Sequence, residues 1–336
     1  MTHFGATILD AEGHRLTAEE KRFFAAADPF GFILFARNID SADQVRNLCA
    51  DMRDAVGRDA PITIDQEGGR VQRLRPPLWR KWPAPLNHVD MAGEQAAEAM
   101  YLRYRLIAAE LHELGIDSNC APLVDVAGAQ THDFLRDRCY GTDPARVALL
   151  GRAVAEGLLD GGVLPVLKHI PGHGRAQADS HLDLPVVAEG REALTATDFA
   201  PFKALNDLPM GMTAHLVYAA IDERPATVSP VMMRLIRDEI GFDGLIMTDD
   251  ISMKALEGSL TDITRASLEA GCDVALLCNA SLEDRRAVAA AAGRLDDAGQ
   301  RRAISALAAR RTPTDIDIPA LEARLSAMCG GLTYGR

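Results

Sequence analysis

The chain has no apolar run approaching the ~18 residues of a membrane-spanning helix, so a membrane partner is not expected. Its first ten residues carry no basic start, long apolar stretch or small-residue cleavage site, and no signal peptide is expected either. Positive charge is in deficit: 36 Lys and Arg stand against 48 Asp and Glu, a formal net charge of -12. Such a surface repels phosphate backbones, which argues against a nucleic-acid partner. The six cysteines (Cys49, Cys120, Cys139, Cys272, Cys278 and Cys329) show no C-x-x-C pairing, and several sit in apolar runs. They read as reduced, buried small hydrophobes, which together with the missing signal peptide implies a cytoplasmic protein. No Pro/Gly/Ser-rich linker and no low-complexity tract divides the 336 residues, of which 48% are hydrophobic. One domain over 1–336 is expected, because α/β barrels run past 250 residues as single units.

What is present is an alternation of short apolar strands with amphipathic helices. Eight strands are predicted at 6–9, 31–35, 62–64, 116–122, 163–168, 210–214, 244–248 and 274–278. Short apolar runs between polar or turn residues suit parallel strands buried on both faces. Helix starts are marked by the capping boxes Thr17/Glu20 and Ser41/Gln44 and by Asp143-Pro144 and Ser229-Pro230. After Ser41, Val45, Leu48, Met52 and Val56 form one apolar face. Gly161-Gly162 and Gly241 mark helix ends. Eight such repeats predict an α/β fold of the (β/α)8, TIM-barrel type, with an open doubly wound sheet as the competing arrangement. Helical stretches from about 281 onward would pack on the barrel.

Barrel chemistry gathers at the C-terminal ends of the strands. The third strand ends in Ile64-Asp65-Gln66-Glu67-Gly68-Gly69-Arg70-Val71-Gln72-Arg73. Asp65 is placed to accept sugar hydroxyls and Arg73 to reach back over the site; a capped turn with solvated charges is the plainer reading. The fifth ends in Lys168-His169-Ile170-Pro171-Gly172-His173-Gly174, followed by Asp179-Ser180-His181. Three histidines in thirteen residues raise a zinc site, but H-E-x-x-H spacing is missing and no metal or other cofactor is expected. Asp179 and His181 suit an acid/base dyad, the carboxylate orienting the imidazole and raising its affinity for a proton. His215, after the sixth strand, is expected as a pocket wall residue. The seventh ends in Thr248-Asp249-Asp250-Ile251-Ser252-Met253. Asp249 should point into the site as a nucleophile and Asp250 away from it, as a helix N-cap.

Together these motifs resemble glycoside hydrolase family 3, and most of all its single-domain bacterial β-N-acetylglucosaminidases, from the first strand to about Asn279. The resemblance implies a retaining enzyme with Asp249 as nucleophile, His181 as acid/base and Asp179 as its partner. It also implies that Asp65, Arg73, Arg138, Lys168 and His169 bind the non-reducing sugar. Arg138 rests on Asp137-Arg138-Cys139-Tyr140, where Cys139 replaces the family's Ser; Ile170 stands where many relatives have Phe. The substrate implied is a small carbohydrate of cell-wall recycling, GlcNAc-β-1,4-anhydroMurNAc with or without its peptide, cleaved by a monomer without cofactor. A phosphorylase remains an alternative, because a histidine acid/base adds no negative charge to repel phosphate. A sugar-binding barrel without chemistry and a metal hydrolase are the others.

Overall fold

A computed structural model describes residues 3–176 and 184–335. Eight parallel strands close into a barrel in the order of the chain: β1 (Gly5–Leu9), β2 (Pro29–Leu34), β3 (Ile62–Ile64), β4 (Ser118–Asn119), β5 (Leu164–Ile170), β6 (Met210–Thr213), β7 (Leu245–Asp250) and β8 (Val274–Leu277). β8 pairs with β1 through Thr7–Ala275, Ile8–Leu276 and Leu9–Leu277, which completes the closure and excludes the open sheet.

Side chains alternate across each strand, so every second residue faces the barrel axis. Leu164 and Val166 of β5, Met210 and Met212 of β6, Leu245 and Met247 of β7, and Val274 and Leu276 of β8 fill the interior with Ala6, Ile8 and Cys120. Leu167, Ile246, Ala275 and Leu277 take the opposite face and pack under the helices. The same period carries Lys168 inward after Val166 and Asp249 inward after Met247. The seventh strand therefore continues two residues beyond its expected end, and both aspartates belong to it. The regular fourth strand is far shorter than expected, Ser118–Asn119, although backbone hydrogen bonds from Cys120 to Ile64 and from Val166 and Lys168 to the Ala121 and Pro122 carbonyls carry the contact on to a Leu123–Lys168 bridge.

The helix signals act largely as read. Thr17 and Glu20 form a reciprocal capping box on Ala18–Ala27. Ser41 caps Ala42–Val56, but Gln44 does not close a box: its side chain accepts from the Asp40 N–H and donates to the carbonyls of His14 and Asn38. Asp143 and Ser229 cap the helices that begin at Pro144 and Pro230. The latter widens into a π-type stretch, Leu235–Ile240, that ends at Gly241 with φ 78°. Leu282–Ala292 follows β8. Asp297–Ala308 sends Ala303 and Ala306 into the interior cluster and plugs the bottom of the barrel. Ile318–Met328 lies along the helix Ala96–Glu113. All six cysteines are buried thiols. No helix among the described residues is long and apolar enough to cross a membrane.

Candidate active site

At the C-terminal mouth of the barrel lies a cavity of about 490 Å³. Asp65, Arg73, Arg138, Lys168, His169 and Asp249, expected from four separate segments, all line it. Asp179 and His181 lie outside the described residues.

One side of the cavity is a buried charge network. Asp65 follows the inward-facing Thr63 and receives Lys168 Nζ at 3.0 Å on one oxygen and Arg73 Nη2 at 3.0 Å on the other. Glu67, two residues further along an extended backbone, takes Lys168 Nζ at 2.6 Å. It also holds Arg138 with both oxygens, at 2.9 and 2.8 Å. Burial opposes the charge on each carboxylate, but the facing cations overrule it. Lys168 and Arg73 hold Asp65 well below the usual carboxylate range, and Arg138 and Lys168 bring Glu67 down to about 2. Lys168 and Arg138 are in turn raised by these carboxylates against the effect of burial. Glu67 was quoted in the motif but given no role; its spacing from Asp65 was the available signal.

The turn that presents these residues is a hairpin, Gln66–Gly68 against Val71–Gln72. Gly68 has φ 113°, and a Cβ there would lie 2.1 Å from Arg103 Nη2. Arg103 passes through that space to donate to the Glu67 and Pro83 carbonyls, at 2.6 and 2.7 Å. Gln66 accepts from the Arg73 and Leu74 N–H groups, both at 3.0 Å, which sets where the Arg73 backbone returns to the mouth.

His169 is oriented by a residue that sequence reasoning missed. Asp125, fully buried, accepts from His169 Nδ1 at 2.7 Å and from the backbone N–H of His173. Burial opposes its charge, yet His169 and His173 lower its pKa. A lone aspartate in the apolar run 121–127 was its signal, since a buried carboxylate needs partners. His173 is pushed down to about 3 by burial and by His169, so it stays neutral. Asp10, at the end of β1, was missed as well. It accepts from Arg285 Nε at 2.9 Å and from the Asn279 N–H at 2.7 Å, and it also pairs with Arg37.

Asp249 stands on the other side of the cavity. Burial works against its charge, but His169, His215, the Asp250 N–H at 2.8 Å and Lys168 keep its pKa below the ordinary value. Asp250 goes the other way, raised to about 6 by burial and by Asp249. Its oxygens accept from Ser252 N at 3.0 Å, Ser252 Oγ at 2.8 Å and Cys278 N at 3.2 Å. It caps a turn and not a helix, because the next helix begins only at Leu260. His215 is buried behind the pair and does not line the cavity. Its Nε2 faces the Asp250 carbonyl at 3.0 Å and its Nδ1 faces Thr227 Oγ1 at 2.7 Å. Among the described residues no group of three His, Cys, Asp or Glu side chains is placed to hold a metal ion.

The arrangement presents an ionised carboxylate across from a dense set of hydrogen-bonding charges, which suits a polyhydroxylated substrate attacked at one carbon. The chain matches the "Glycosyl hydrolase family 3 N terminal domain" over residues 8–308. A "Beta-hexosaminidase" of Methylococcus capsulatus is 38% identical over 309 residues, spanning 90% of this chain and 91% of that protein. One from Pseudomonas aeruginosa is 37% identical over 290 residues, 85% of this chain and 86% of its own length. The crystal structure of NagZ from Neisseria gonorrhoeae in complex with N-trifluoroacetyl-D-glucosamine superposes with a TM-score of 0.85 at 29% identity, over 98% of both chains. The chain therefore belongs to glycoside hydrolase family 3 and is a glycoside hydrolase.

Proposed function

We propose that the enzyme is a retaining exo-β-N-acetylglucosaminidase that removes non-reducing terminal GlcNAc from peptidoglycan fragments. Its substrate in this reading is GlcNAc-β-1,4-anhydroMurNAc, with or without peptide, met in the cytoplasm by a monomer whose 336 residues act as one catalytic unit. The observation that carries the reading is Asp249, inward-facing and held ionised across the cavity from the Asp65–Lys168–Glu67–Arg138 network. The N-trifluoroacetyl-D-glucosamine in the Neisseria enzyme supports the choice of sugar.

In this mechanism Asp249 attacks the anomeric carbon while protonated His181 gives its proton to the departing oxygen. A glycosyl–Asp249 ester forms. Neutral His181, oriented by Asp179, then removes a proton from water; the water oxygen displaces Asp249 and the β-configuration returns. Asp65 has lone pairs beyond those used by Lys168 and Arg73, so it can accept sugar hydroxyls while staying charged. Lys168, Arg73, Arg138 and His169 donate to the ring substituents. The charges are in place before the sugar arrives, so little reorganisation accompanies reaction.

A panel of aryl β-glycosides, assayed with and without phosphate, tests the reading. The N-acetylglucosaminide should be cleaved far faster than the glucoside or xyloside, giving free GlcNAc whether or not phosphate is present. A dominant sugar 1-phosphate product would replace hydrolysis with phosphorolysis, and a preference for the glucoside would overturn the sugar assignment.

A further inference from the structure

Glu67 is fixed from outside the barrel as well as from the cavity. Its carboxylate meets Arg138 and Lys168, while its backbone carbonyl accepts from Arg103 Nη2 at 2.6 Å. Arg103 is fully buried on the helix Ala96–Glu113. Lys168 and Arg138 each face a carboxylate; Arg103 has no ion pair among the described residues, and burial lowers its pKa. A buried cation of this kind depends on neutral partners for its polar groups. Nη2 also donates to the Pro83 carbonyl at 2.7 Å, Nη1 donates to His88 Nδ1, and the guanidinium lies 5.4 Å from the centre of the Trp82 ring.

His88 is held in turn by residues 329–335. Burial and Arg103 push its pKa down to about 2, so the ring is neutral. With Nδ1 accepting from Arg103, its one proton sits on Nε2, which faces Tyr334 Oη at 3.4 Å. The Tyr334 ring stacks on His88, with 6.0 Å between centres, and packs on Trp82 at 4.9 Å. The Gly335 carbonyl accepts from the Lys81 N–H at 2.9 Å. On its other edge the 80–83 segment meets the active-site hairpin. The Gly69 N–H donates to the Trp82 carbonyl at 2.9 Å, and the Gln72 side chain accepts from the Trp82 N–H at 3.2 Å and donates to the Arg80 carbonyl at 2.6 Å. The Leu86 N–H donates to the carbonyl of Asp137, the neighbour of Arg138, at 3.0 Å. Residues 329–335, then 80–88, then the hairpin that carries Glu67 are thus stacked behind the cavity.

We infer that Tyr334, His88 and Arg103 are positioning residues for the glycosidase reaction. Tyr334 fixes His88, His88 fixes Arg103, and Arg103 fixes the Glu67 carbonyl and with it the Lys168 and Arg138 cations on the cavity floor. None of the three lines the cavity. Gly68 leaves the hairpin no second seat, because a Cβ there would lie 2.1 Å from Arg103 Nη2 and 2.5 Å from the Pro83 carbonyl oxygen. The inference rests on the glycoside hydrolase site and not on the choice of sugar.

The test is the kinetics of Tyr334→Ala, His88→Leu and His88→Gln, each alone and combined with Glu67→Gln. The substrate is whichever aryl β-glycoside the wild type cleaves best, at a temperature where circular dichroism shows every variant folded. A displaced Glu67 misplaces the groups that bind the sugar, so KM should rise, and kcat/KM should fall ~10–100-fold in Tyr334→Ala and His88→Leu. His88→Gln keeps a neutral acceptor for Arg103 and should restore most of that loss. On the Glu67→Gln background each change should cost under ~3-fold more, because the residue it acts through is already altered. A packing role alone would leave fewer active molecules, lowering the apparent kcat at unchanged KM and by the same factor on both backgrounds. That result would overturn the inference, as would equal losses in His88→Leu and His88→Gln. If Tyr334→Ala does not fold, Tyr334→Leu, which keeps an apolar side chain over Trp82, carries the same comparison.

Discussion

Glu67 grips Arg138 with both carboxylate oxygens and shares Lys168 with Asp65. The two cations are thereby fixed by a residue that is itself 1% exposed and reaches no substrate unaided. Glu67→Gln leaves the volume and removes the charge. Breaking a buried pair costs ~3–5 kcal/mol, because the partners stay charged and unmatched. Denaturant unfolding should show a loss of this order. Misplacement of Arg138 and Lys168 should lower kcat/KM by ~10²-fold. A variant as stable and as active as wild type would remove the network from the site.

Asp249→Ala should abolish turnover and leave the circular dichroism spectrum unchanged. A 2-fluoro sugar with a good leaving group should label Asp249 in the wild-type enzyme, as peptide mapping would show. Asp250 carries three hydrogen bonds from Ser252 and Cys278 and a pKa near 6, so it should remain unlabelled.

Arg73→Ala and Lys168→Ala should each lose ~10–150-fold in kcat/KM, the worth of one charge-assisted hydrogen bond. Both bind the sugar before and during reaction, so KM should rise as well as kcat fall. Steady-state kinetics on the aryl N-acetylglucosaminide reads the split.

His181→Ala should depend on the leaving group. A sugar alkoxide needs a proton and should lose ~10²–10⁴-fold; a dinitrophenolate needs none and should lose far less in the first step. The glycosyl-enzyme should accumulate as a burst, and azide should relieve it. Asp179→Ala should show a weaker form of the same pattern. Equal losses on both leaving groups, with no azide rescue, would remove His181 from the role.

Stability should respond to acid in two opposite senses. Asp65, Glu67 and Asp249 are depressed below their unfolded values, so their contribution is present above the ordinary carboxylate pKa and is lost as pH falls through their folded values. Asp250 is raised, from 3.8 to about 6. Between those values the folded state binds a proton that the unfolded state lacks, so Asp250 stabilises the fold at low pH and ceases to as pH rises through about 6. Asp250→Asn should flatten the decline in Tm between pH 4 and 6, and leave the acid limb below pH 4 in place.

The barrel could be read from the sequence because its strands are short apolar runs and its helices begin at Thr17, Ser41, Asp143 and Ser229, local signals that tertiary packing did not override. Strand lengths were less legible. β4 has only two regularly paired residues, and past them Asn119 accepts from the Gln66 N–H and donates to the Gln66 carbonyl beside the backbone bonds of Cys120, Ala121 and Pro122. β7 runs on through two aspartates because the mouth of the barrel tolerates charge that a strand interior would not. Of the site, Asp65, Arg73, Arg138, Lys168, His169 and Asp249 were found from strand ends and the family pattern, while Arg37 and Phe134, which also line the cavity, were not. Those that hold the site residues were not found either: Glu67, Asp125 and Asp10 are carboxylates whose partners come from distant segments, so the spacing of Glu67 from Asp65 and the isolation of Asp125 in an apolar run hint at burial without naming a partner.

The Asp65–Lys168–Glu67–Arg138 floor has a consequence for how the protein can change. Buried ion networks are commonly matched or bettered in stability by apolar residues of similar volume. Selection for thermal robustness alone would therefore erode this floor, and activity would vanish before the barrel weakened. In a library screened only for folding, these four positions should drift toward aliphatic residues, and the survivors should be inert barrels. The charges persist where catalysis is also demanded, so a relative that keeps the barrel but shows Leu or Met at these positions has left the trade of sugar cleavage.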